Sequence, residues 1–129
     1  MDLEKIFKRI VLLDFFSLIA IIMWGIVLGI TDVTPVSEEV SFTNTDFLYL
    51  TVLFVYFFNL YLLYNFKPIG KKIYLIVLIF SYGVIFLIPI EELQAKNHFE
   101  YLIGSIGPIL SGAILTMLYL TDVGKRFDK

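Results

Sequence analysis

Asp14 is the one acidic or basic side chain within the long apolar stretches of this chain. A carboxyl group in such a setting either handles an ion or proton, or is paired structurally. Asp14 lies about one helical turn from the basic edge of its stretch, where a cation or water relieves the charge. Structural pairing is therefore the first reading, and ion or proton handling the second. Arg9, Lys72 and Lys125 are candidate cations, and Thr116 and Tyr119 are donors at comparable depth. Asp14, Ser17, Ile21, Gly25 and Leu28 share one stripe at helical spacing, so Asp14 is expected to face other helices. Asn59 and Ser81 form a second polar pair: with Phe66 level with Ile73, they meet within one residue and share a hydrogen bond. In the functional alternative, Asp14, Ser17, Asn59 and Thr116 line a route with Pro108 as its flex point.

Other chemistries lack their residues. The chain has no cysteine, which removes thiol–disulfide redox cycling. Its one histidine, His98, stands beside Asn97 and Phe99, so bis-histidine haem and histidine-rich metal sites are excluded. Glu91, Glu92, His98 and Glu100 offer a loose divalent-cation cluster, but a solvated acidic loop is the plainer reading. No phosphate-binding loop, dinucleotide fingerprint, nucleophile elbow or zinc-protease motif occurs. We expect no catalytic, cofactor or metal residues, and no enzyme activity.

The elements that hold these residues follow from composition. The chain has 129 residues, of which 59% are hydrophobic and 17% charged, with a mean hydropathy of +0.88. Soluble domains average roughly 45–50% apolar and about 25% charged, and a chain this small has too little interior to hide the excess. That excludes a soluble globular domain, a disordered chain and an ordinary nucleic-acid binder. Four apolar blocks, 10–30, 47–66, 73–90 and 101–121, each suit a helix crossing a ~30 Å hydrocarbon layer, giving helices at approximately 10–30, 47–66, 73–90 and 98–121. They are continuously apolar rather than alternating, which argues against barrel strands. The expected fold is all-α: residues 1–129 as a single transmembrane domain, an integral membrane four-helix bundle.

Boundary signals support the blocks. Asn97 with Glu100 reads as a capping box, and Gly124 before Lys125 and Arg126 as a helix C-cap. Lys67-Pro68-Ile69-Gly70-Lys71-Lys72 predicts a tight antiparallel hairpin between the second and third helices. The first block is too long for a signal peptide and no small-residue cleavage pattern follows it, so it reads as a retained helix.

Charge sets the orientation. Lys5, Lys8 and Arg9, then Lys67, Lys71 and Lys72, then Lys125, Arg126 and Lys129 make nine of the ten cations, leaving only Lys96 opposite. The positive-inside rule places both termini and the 67–72 turn in the cytoplasm and loops 31–46 and 91–100 outside. With 18 isoleucines against three alanines, the chain suggests an AT-rich genome and a bacterial inner membrane.

Helices in lipid associate through close packing and interhelical hydrogen bonds. Gly25 and Gly29 form one small-residue face, and Gly104, Gly107, Pro108, Ser111 and Gly112 another at matching depth. The first and fourth helices are expected to touch there, with Pro108 kinking the fourth. The preferred function is a small non-enzymatic membrane protein acting as an accessory or interaction subunit. The alternative is a small homo-oligomeric transporter or channel for ions or amphipathic solutes. Partners are the lipid bilayer and a second copy or larger membrane complex, without nucleic acid or cofactor.

Overall fold

The computed structural model describes residues 2–31, 44–83 and 98–128. They are helical: α1 spans Leu3–Thr31, α2 Asn44–Tyr64, α3 Pro68–Gly83 and α4 His98–Leu120, followed by a 3₁₀ helix at Asp122–Asp128. By length and composition, Leu3–Val27 and Phe47–Tyr64 are each apolar enough to cross a membrane. A third span results if Gly104–Leu120 and the bent Asp122–Asp128 are taken together. The capping box at Asn97 and the acidic pair Glu91 and Glu92 lie outside the described residues, as does most of loop 31–46.

Helix α1 starts seven residues before the apolar block that suggested it. Phe7 and Val11 are fully buried while Lys5 and Arg9 are exposed, so the basic segment is amphipathic and is drawn into the helix by its core side. Lys8 lies 5.0 Å from the Tyr64 ring and 5.3 Å from that of Phe66, keeping its charge over aromatic faces.

The α2–α3 turn is tighter than hydropathy implied. Phe66 adopts a left-handed backbone, with φ of 53°. The Lys67 amide donates to the Leu62 carbonyl at 2.9 Å, and the Phe66 amide to Leu63 at 3.0 Å. Those two bonds are the Schellman pattern, which normally favours glycine at the left-handed position. Here Phe66 fills that place, and its ring packs 5.7 Å from Phe7 and 5.2 Å from Phe127. Pro68 then opens α3, where a proline's missing amide costs nothing. Gly70 lies against Leu62: a Cβ there would stand 2.9 Å from the Leu62 Cβ.

After Leu120 the chain bends by 73° into the 3₁₀ helix. Gly124 is not the left-handed cap its position suggested, since no described glycine has positive φ. It is required by proximity instead: a Cβ would collide with the Leu118 carbonyl. Its own carbonyl accepts the Lys71 ammonium at 2.8 Å, and Lys71 also reaches Asp128 at 2.9 Å. Arg126 bridges to Glu4. Phe127 is buried edge-on to Phe7 at 5.8 Å. The start of α1, the α2–α3 turn and the 3₁₀ helix therefore meet at one basic end.

Helix α1 packs along α4 and α2 along α3, with lighter contacts from α1 to α2 and from α3 to α4. One apolar core joins them, built from Phe7, Val11, Leu60, Leu63, Ile114, Leu118 and Phe127 among others. In each helix these residues lie in the half nearer the basic end. The outward surfaces are apolar too, with Phe54, Ile109 and Leu120 largely exposed.

Candidate functional site

Above that core, one polar cluster ties the four helices together. Asp14 of α1 is completely buried. The Tyr56 hydroxyl of α2 donates to its Oδ2 at 2.8 Å and stands 2.9 Å from the Ser111 Oγ of α4. From α3, the Tyr74 hydroxyl donates to the Ser111 carbonyl at 3.2 Å, and the Tyr82 hydroxyl makes a long 3.5 Å contact with Ser111 Oγ. Tyrosine suits this task because its ring packs among apolar neighbours while its hydroxyl seeks a polar partner.

Asp14 is thus not near the end of its helix. It lies eleven residues into α1, about 16 Å along the axis, and is level with Tyr56 and Ser111 well inside their helices. None of the expected partners pairs with it. Thr116 turns its hydroxyl to the Gly112 carbonyl of its own helix at 2.9 Å, and the Tyr119 hydroxyl donates to the Lys71 carbonyl. Arg9, Lys72 and Lys125 are exposed. Ser17 bonds back to the carbonyl of Asp14 at 2.8 Å. Helix α1 begins at Leu3, ahead of the apolar block at residue 10, which puts Asp14 deeper in its helix than the block suggests.

The expected Asn59–Ser81 bond is also absent. Ser81 donates to the Val77 carbonyl at 2.8 Å, and both polar atoms of the buried Asn59 lack a hydrogen-bond partner among the described residues. The reason is register. With Gly70 against Leu62, Asn59 is level with Ile73, eight residues and about 12 Å short of Ser81.

On the side of Asp14 away from the basic end lies a cavity of about 420 Å³. Asp14, Leu18 and Ile21 line it from α1, Tyr49, Leu50, Val52, Leu53 and Tyr56 from α2, Ser81 and Tyr82 from α3, and Gly104, Gly107, Pro108 and Ser111 from α4. Its walls are overwhelmingly apolar, with the Asp14–Tyr56–Ser111 cluster as the polar feature. The small residues of α4 thus belong to a cavity wall and not to a tight helix contact. A Cβ at Gly25, Gly104, Gly107 or Gly112 would meet nothing within 4 Å. Gly25 and Gly112 are exposed, and the surroundings of Gly29 lie outside the described residues. Helix α4 runs through Pro108 from His98 to Leu120, and its sharp bend comes later.

No family model, curated protein or solved structure matches this chain. The site therefore rests on its own geometry. The residues missed in the sequence are Tyr56, Tyr74 and Tyr82, hidden in aromatic-rich helices. For Tyr56 the signal was position, since a tyrosine far from either end of an apolar helix must find a partner for its hydroxyl inside the protein. Tyr74, at the start of its apolar block, and Tyr82, near the end of α3, carried no such mark. No group of three or more histidine, cysteine or carboxylate side chains suited to a metal occurs among the described residues.

Proposed function

We propose that this chain is a non-enzymatic integral membrane protein of four spanning helices that holds a small amphipathic solute within its own bundle. The cavity carries this reading. At about 420 Å³ it falls in the size range of small-molecule sites, with apolar walls and a few convergent polar groups. All four helices of one chain line it, so a second copy is not needed to form it. The exposed Phe54, Ile109 and Leu120 support a lipid environment, since soluble monomers rarely present such continuous apolar surface. Meeting of the basic segments at one end supports a cytoplasmic position for that end, in a bacterial inner membrane. The cavity then belongs to the outer half and the packed core to the inner half, so solute held there is shut off from the cytoplasm.

The test is saturation-transfer NMR with 1-heptanol on protein in phosphatidylcholine nanodiscs, with empty nanodiscs subtracted. Wild type should bind, and Gly107→Leu, whose side chain enters open cavity space, should abolish the signal. Equal signals from the two proteins would contradict the reading. An accessory-subunit role is the second reading, favoured by Gly25 and Gly112, which leave open notches on exposed helix surfaces.

A further inference from the structure

The cluster is polarised. Tyr56 has one proton and spends it on Asp14 Oδ2, so in the contact between Tyr56 and Ser111 the serine is the donor. The Tyr74 hydroxyl is committed to the Ser111 carbonyl, and the long Tyr82 contact also runs toward Ser111 Oγ. The protein thus feeds donors toward one carboxylate oxygen. The other, Asp14 Oδ1, is fully buried and has no hydrogen-bond partner among the described residues. A carboxylate oxygen takes donors only, and leaving one unmet in an apolar interior is costly.

A second acceptor lies in the same wall. Pro108 has no amide hydrogen, so the Gly104 carbonyl one turn earlier loses its intrahelical donor. Gly104 and Pro108 both line the cavity with Asp14, and no lysine or arginine does. At Gly104 and Gly107 the absent side chains keep the space open. What the cavity lacks is a donor group with positive charge, and what it offers otherwise is apolar surface.

We infer that the cavity binds a primary ammonium carried on an apolar body, with an N–H directed to Asp14 Oδ1. This rests on the cavity reading above and adds the chemical class of the solute. Charge alone is insufficient, because an unmet acceptor calls for an N–H donor; a quaternary ammonium has none, and an alcohol has one donor and no charge.

Three probes of equal chain length separate these cases: heptylammonium, 1-heptanol and heptyltrimethylammonium. Each is titrated into wild-type protein in phosphatidylcholine nanodiscs at neutral pH, again against empty nanodiscs. Heptylammonium should bind at least ~10-fold more tightly than either other probe, as expected for a charge-assisted hydrogen bond. Asp14→Asn should reduce it to the level of the alcohol, and Gly107→Leu should remove all three. The wild-type comparison needs no variant to fold. Equal binding of alcohol and amine, lost in Gly107→Leu, would overturn the ammonium inference and leave the cavity reading standing. Equal binding of the quaternary and primary amines would overturn the requirement for N–H donors. Binding of none of the three would overturn both.

Discussion

Tyr56 connects Asp14 to Ser111, and its hydroxyl is the group on which the buried cluster turns. Tyr56→Phe leaves Asp14 Oδ2 without its donor and should cost about 1–3 kcal/mol, measured by SDS unfolding in mixed micelles. Tyr82→Phe removes only a 3.5 Å contact from a half-buried ring, and should change stability by less than about 0.5 kcal/mol. Equal losses would mean that the hydroxyls do not act as ordered here. Asn59 gives the opposite sign. Its amide is buried with neither polar atom paired among the described residues, so Asn59→Leu should stabilise the protein by about 1 kcal/mol or more in the same assay. A clear loss would show that Asn59 has a polar partner. At this scale the sequence was partly legible. Asp14 stood out because charge in an apolar run is rare, whereas its partners depended on helix register and on where α1 begins.

At the level of elements, glycines that look alike in the sequence separate by what surrounds them. Gly70 and Gly124 sit where a Cβ would press on Leu62 or strike the Leu118 carbonyl, whereas Gly112 faces open space. Gly70→Ala and Gly124→Ala should therefore destabilise the fold, while Gly112→Ala should stabilise it by up to about 1 kcal/mol through helix propensity. Thermal unfolding of the three purified variants decides between them. The 3₁₀ helix separates two kinds of contact. The Arg126–Glu4 pair is partly exposed and should contribute little to stability, since solvent screens it. Phe127, buried against Phe7 and Phe66, should cost about 3–5 kcal/mol when cut to alanine. If Arg126→Ala proved the more damaging change, aromatic burial would not be what holds this segment. The hairpin at 67–72 was readable from Pro68 and Gly70. Its register was not, because the left-handed residue is Phe66, which no turn propensity marks.

For the whole molecule, sequence and structure agree on what composition controls. Continuous apolar runs imply helices, because each run must satisfy its backbone internally, and the described residues are helical. The three basic segments meet at one end, as their spacing in the chain suggested. A cavity is a different matter: it depends on where helices diverge, and hydropathy carries no record of that. Sequence reading placed Gly104, Gly107 and Pro108 at a helix contact because small residues serve both close approach and open space.

The central claim is that four helices cross a bilayer with the basic end inside. A chain free of native cysteine permits a direct measurement: single-cysteine variants labelled in intact cells with a membrane-impermeant maleimide. Ser37→Cys and Gln94→Cys should label at once, whereas Lys5→Cys, Lys72→Cys and Lys125→Cys should label only after the membrane is opened. Labelling of Lys5→Cys and Lys125→Cys from opposite sides, or of all five positions in intact cells, would contradict the account.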